Sequence, residues 1–93
     1  MHVTMRYYAG NTDLADQLAA RSDEIRAVIS EVPGFEAYYL AKLDDATVSI
    51  TVCEDEAGTA ASTRVASEWI RDNMPGLAAS PPMVSSGTVT LSA

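Results

Sequence analysis

Two proline–glycine breaks, Pro33-Gly34 and Pro75-Gly76, set the outline of this chain. A proline ring removes an N–H and pushes the residue before it out of the helical region, so each break must end a helix. Before the first break, Leu14, Leu18, Ile25, Val28, Ile29 and Val32 recur at helical spacing. They predict one helix over residues 13–32, about 30 Å long at 1.5 Å per residue. Asn11 or Thr12 suits its cap, and Asp13 and Asp16 suit the positive end of its dipole. Before the second break, Asp55 can cap a helix running to about residue 74, with Ala61, Val65, Ala66, Trp69 and Ile70 as its inward stripe.

The remaining segments alternate with period two and read as strands. In residues 2–8, Val3, Met5 and Tyr7 alternate with His2, Thr4, Arg6 and Tyr8. Residues 35–43 and 46–54, joined at Asp44-Asp45, form a hairpin in which Val48, Ile50 and Val52 alternate with Thr47, Ser49, Thr51 and Cys53. Residues 77–82, with Pro81-Pro82, read as a loop, and residues 83–92 as the last strand.

The order is therefore βαββαβ in a single domain over residues 1–93. This is an α+β, ferredoxin-like arrangement: a four-stranded antiparallel sheet with both helices on one face, since right-handed crossovers place them on the same side. The other face is left without cover. Thr47, Ser49, Thr51 and Cys53, with either Tyr38 or Tyr39, are expected there, and such uncharged residues suit an interface. A chain of this size buries only roughly 60 to 65 % of its unfolded surface, which also favours a partner subunit. The expectation is a homodimer, with a half-solvated sheet as the alternative. Which face of the first two strands meets the helices stays open, because a one-residue bulge inverts the assignment.

Charge narrows the partners. Thirteen acidic against six basic side chains give a formal charge of -7, which repels a phosphate backbone or an anionic bilayer. Neither nucleic acid nor membrane is an expected partner. Cys53 is the only cysteine, so an internal disulfide and multi-cysteine metal sites are excluded and a cytoplasmic setting is the default. The N-terminus lacks a signal-peptide pattern. Alternating oxygen ligands with a glycine turn are missing around Asp44-Asp45 and Glu54-Asp55-Glu56, so no metal site is expected.

Pro33-Gly34-Phe35 leads into a strand carrying Tyr38-Tyr39, and Glu54-Asp55-Glu56 leads into a helix bearing Trp69. In these features and in element order the chain resembles the antibiotic-biosynthesis-monooxygenase-like branch of the dimeric α/β-barrel superfamily. The resemblance implies two sheets paired into a barrel and a small-molecule pocket between helices and sheet. Some members oxidise polycyclic phenols with dioxygen and no cofactor, others cleave haem, and many have no established activity. The haem-cleaving branch binds iron through a histidine late in the second helix. Here no histidine follows His2, and that helix carries Trp69 and, one turn later, Asn73.

The ligand-pocket candidates are Arg6, Tyr8, Tyr39, Trp69 and Asn73. Aromatic rings stack on planar ligands, and a phenol or indole N–H orients a carbonyl. A cation in mid-strand must reach a rim, a carboxylate or a ligand, and Arg6 could stabilise an enolate or phenolate. A salt bridge to an acidic residue accounts for it equally well. Acidic neighbours should raise the Cys53 thiol, which reads as packing. No spacing amounts to a catalytic signature, and no cofactor is expected. The leading reading is a small homodimeric ligand-binding protein without an assignable reaction. The alternative is a cofactor-independent monooxygenase acting on an aromatic or polyketide-like molecule oriented by Arg6, Tyr8 and Tyr39. A cavity of roughly a few hundred Å³ under Trp69 would favour the enzyme, and a filled core the non-catalytic module.

Overall fold

The computed structural model describes residues 1–77 and 81–93. Its elements are β1 (His2–Ala9), α1 (Thr12–Ala20), α2 (Ser22–Ser30), β2 (Phe35–Lys42), β3 (Ala46–Cys53), α3 (Glu56–Asn73) and β4 (Met83–Thr88), with one 3-10 turn at Pro75–Leu77. All strand pairs are antiparallel in the order β2-β3-β1-β4. This is the ferredoxin-like α+β sheet that the alternation predicts. The last strand ends at Thr88, short of residue 92, although Val89 N–H still donates to the Met1 carbonyl at 3.0 Å. Part of the expected 77–82 loop lies outside the described residues.

Local signals set most boundaries. Asp55 Oδ1 accepts from Gly58 N–H at 3.1 Å and caps α3. Gly34 takes a φ of +71° and turns the chain into β2, a conformation that costs a residue without Cβ very little. Asn11 occupies the cap position of α1, but its side chain donates to the Leu77 carbonyl at 3.0 Å instead of capping. Thr47 takes over that end of the helix: its hydroxyl donates to the Asn11 carbonyl at 2.6 Å and accepts from Ala15 N–H at 3.1 Å.

The predicted single helix of residues 13–32 is two helices, broken at Arg21 (φ −118°, ψ 36°). Neither proline nor glycine marks the break. Ser22, Asp23 and Glu24 start a new first turn with negative charge at its positive end, and the Arg21 side chain is drawn across to α3.

The larger correction concerns the sheet faces. Thr47, Ser49, Thr51 and Cys53 are all buried under the helices, whereas the sequence suggested them for the uncovered face. The register pairs Arg6 with Ser49 and Tyr8 with Thr47, so the inner face also carries Thr4, Arg6 and Tyr8. A bulge between Phe35 and Ala37 brings both Phe35 and Tyr38 against the core and sends Tyr39 outward, 61 % exposed. The outer face then holds Val3, Met5 and Tyr7 of β1, Val48, Ile50 and Val52 of β3, and Ala37, Tyr39 and Ala41 of β2. None of these is charged.

The layer between helices and sheet has two zones. Leu14, Leu18, Ile25, Ile29, Ile70 and Met74 form the apolar core with Tyr8. Under the first half of α3 the layer is polar, because that helix buries Gly58, Thr59 and Ser62 before it buries Ile70. Its expected apolar stripe, Ala61, Val65, Ala66 and Trp69, is only half-buried. At Gly58 a Cβ would run into the Pro33 carbonyl oxygen and stand 2.8 Å from Cys53 Cβ. Gly58→Ala is expected to lower stability by about 1 to 3 kcal/mol through overpacking. Urea unfolding checks this, and an unchanged midpoint would mean that the two elements separate easily.

Candidate ligand site

Arg6 is the centre of the polar zone and has no solvent-accessible surface. Its Nε donates to Ser49 Oγ at 2.9 Å and its Nη2 to Thr51 Oγ1 at 2.8 Å, both on β3. Its Nη1 donates to Ser62 Oγ at 3.2 Å and Thr63 Oγ1 at 3.1 Å, both on α3. Four of the five N–H bonds of the guanidinium thus end on neutral hydroxyls. Among the described residues no carboxylate lies within ion-pair distance of Arg6. The salt bridge that the sequence allowed is not formed among the described residues, whose ion pairs use Arg21, Arg26, Lys42 and Arg71 instead.

Next to this cluster, between the apolar core and α3, lies a small cavity. The sheet contributes Tyr8, Tyr38 and Ser49, α1 and α2 contribute Leu18, Ile25, Val28 and Ile29, and α3 contributes Ala66, Trp69 and Ile70. Its volume is about 20 Å³, room for one water molecule. That is far below the few hundred cubic ångströms a preformed substrate pocket would need. A surface groove of about 510 Å³ between α2 and β2, lined by Arg26, Ala27, Ile29, Ser30, Phe35 and Tyr38, shares the Ile29 and Tyr38 walls with the cavity.

Of the sequence candidates, Tyr8 and Trp69 line the cavity, and Arg6 stands behind Ser49 and the phenols. Tyr39 projects from the opposite face of the sheet, and Tyr38 takes the place expected for it, because adjacent strand residues point to opposite sides. Asn73 is exposed and outside the cavity; its Nδ2 donates to the Trp69 carbonyl at 2.9 Å and its Oδ1 accepts from Arg21 at 3.2 Å. Ser49, Thr51, Ser62 and Thr63 carry no sequence signal of their own, since isolated hydroxyls do not announce a buried cation.

Burial pulls the Arg6 guanidinium below its ordinary value, while the phenols of Tyr8 and Tyr38 and the Cys53 thiol work against this. Burial pushes the Tyr8 phenol up, and the Arg6 charge opposes it. Burial likewise raises Tyr38; the Arg6 charge and the Ser49 hydroxyl oppose the rise and Tyr8 adds to it. Cys53 is raised by burial first and then by Asp55, with Arg6 lowering it. Its thiol is thus a poor nucleophile, as the acidic neighbours suggested. The site holds a cation in place, and two tyrosines, a serine and a tryptophan line the cavity beside it.

No protein-family model and no curated protein matches the chain. Solved structures do. A protein of unknown function from Nitrosomonas europaea superposes with a TM-score of 0.74 at 17% identity, over 99% of this chain and 91% of that one. The ActVA-Orf6 monooxygenase of Streptomyces coelicolor, solved with nanaomycin D, gives 0.70 at 19% identity over 99% and 89%. A MhuD variant holding two manganese protoporphyrin IX molecules per active site gives 0.72 at 15% identity over 100% and 98%. The fold is that of the antibiotic-biosynthesis-monooxygenase-like proteins. No helix among the described residues is long and apolar enough to cross a membrane.

The raised phenols have a consequence at high pH. Unfolded tyrosines ionise near pH 10, whereas Tyr8 and Tyr38 hold their protons to higher pH in the folded chain. The stability they contribute is complete below about pH 10 and is lost as pH rises through their folded values. Tyrosinate absorbance should therefore show two of the four tyrosines ionising late and together with alkaline unfolding. Ionisation of all four near pH 10 in the still-folded protein would contradict the burial of both phenols.

Proposed function

We propose that this chain is a cytoplasmic homodimer that binds a small planar aromatic molecule bearing a weakly acidic oxygen, between α2, α3 and the sheet. One observation carries the reading: a fully buried Arg6 with no carboxylate partner among the described residues. Burying an ion costs several kcal/mol after relaxation, and thirteen acidic residues were available to offset it. Neutral hydroxyls leave the positive charge uncancelled, so the cavity beside it favours negative charge. Tyr8, Tyr38 and Ser49, whose hydroxyls can donate to a ligand, and Trp69, whose ring can stack on one, line that cavity. A phenol or enol oxygen pointing at Tyr38 would be held, and its ionised form stabilised, by the same groups.

The uncovered sheet face supports association with a second copy. It is uncharged, and Met5, Tyr39 and Met83 on it are 43 %, 61 % and 71 % exposed, which suits an interface core better than a solvated surface. The complex of the Streptomyces coelicolor monooxygenase with nanaomycin D supports a second reading on the same site. In it the stabilised enolate or phenolate of the ligand reacts with dioxygen, and the chain is a cofactor-independent monooxygenase.

Sedimentation equilibrium should give a mass of twice 9.9 kDa, and Ile50→Lys should shift it to the monomer. A wild-type monomer at micromolar concentration would remove the dimer. Binding is tested with naphthol and its methyl ether, which differ in the acidic proton. Naphthol should bind at least about tenfold tighter, the order of one charge-assisted hydrogen bond, and Tyr38→Phe should erase the difference. Equal affinities for the two probes would mean that Arg6 has no influence on the ligand.

A further inference from the structure

The cavity beside Tyr38 has room for no more than one water molecule, so any ligand of aromatic size enters only when a wall moves. Three of its walls, Ile25, Val28 and Ile29, belong to α2. That helix is bounded by the non-helical Arg21 at one end and by the Pro33-Gly34 turn at the other. Its outer side faces the groove that shares Ile29 and Tyr38 with the cavity. An outward swing of α2 would join the two spaces without disturbing the Arg6 cluster, which is built from β1, β3 and α3.

What opposes that swing is concentrated at Arg21. Its guanidinium lies over the Trp69 ring, 4.8 Å from the ring centroid. The same group donates to Asn73 Oδ1 at 3.2 Å and pairs with Glu24 in the first turn of α2. Asn73 in turn donates to the Trp69 carbonyl. One side chain thus ties the start of α2 to the end of α3 through the residue that forms the cavity wall. A cation on an aromatic face and a surface hydrogen bond are each weak and reversible, which suits a contact that must open.

We propose that Arg21 is a latch: its contact with Trp69 and Asn73 holds α2 closed over the cavity and sets the rate at which ligand enters. Arg21 is a positioning residue and touches no ligand. The inference rests on the binding reading above only for the ligand and not for the latch, which has a readout of its own.

Trp69 is the single tryptophan, so its emission reports the latch directly. In Arg21→Met, which keeps the length of the side chain and loses its charge and donors, acrylamide quenching of Trp69 should rise at least about twofold. Amide exchange across residues 22–30 should accelerate, while exchange in β1 and β3 stays as in the wild type. Arg21→Lys, with a cation but no fork for Asn73, should fall between the two. Naphthol should enter the Met variant faster by stopped flow. Unchanged quenching and unchanged exchange in α2 overturn the latch, whether or not naphthol binds. If quenching and exchange rise but naphthol binds neither protein, the latch stands and the proposed ligand falls.

Discussion

A guanidinium held in the middle of β1, away from water and from every carboxylate among the described residues, sets conditions on each element around it. It needs oxygen acceptors from several directions, and the strand beside it supplies two, Ser49 and Thr51, while α3 supplies Ser62 and Thr63. Those acceptors must face inward, so period two sends their neighbours Val48, Ile50 and Val52 outward. The uncharged outer face follows from the inner cation. The requirement that brings hydroxyls into the core also sends an aliphatic stripe to the opposite face, and that face, with Met5, Tyr39 and Met83 exposed on it, is what a second copy would bury.

The same cation explains why α3 changes character along its length. Its first half must approach the sheet closely enough for Ser62 and Thr63 to reach Arg6, and small residues allow this, with Gly58 nearly touching Cys53. Beyond Ala66 the helix moves over the apolar core and becomes larger, with Trp69 and Ile70. Tyr8 and Tyr38 sit at the boundary between the zones. Their rings belong to the apolar side, and their phenols feel the charge on the polar side.

How much of this was legible in the sequence depends on the range of the interaction that decides each feature. Asp55 as a cap, Pro33-Gly34 as a turn and the β2–β3 hairpin are decided within a few residues, and the pattern reads them correctly. The face of β3 is decided by Arg6, some forty positions earlier, and the usual expectation of apolar residues inside put the wrong stripe under the helices. Tyr38 and Tyr39 exchange roles because of one bulge at Phe35/Ala37, which nothing in FEAYY announces. The break at Arg21 has no proline or glycine to mark it. Arg6, Tyr8 and Trp69 could be picked out by residue type, but Ser49 and Arg21 acquire their roles only when β1, β3, α2 and α3 are brought together.

Charge acts here on two scales with opposite signs. At long range the chain carries a formal -7 and repels anions, with an effect that salt reduces. At short range the cavity lies against an uncancelled cation in a space from which water is nearly excluded, where electrostatic interactions are stronger than in bulk. A permanently anionic molecule gains from the second field but is kept away by the first. A weak acid would escape this conflict, because it arrives neutral and its hydrogen-bonded oxygen would still gain from the nearby Arg6 charge. The small size of the cavity would strengthen the same preference, since a wide, water-filled pocket would screen Arg6. Should α2 open to admit such a molecule, the small volume beneath Trp69 would favour a neutral weak acid over a permanent anion.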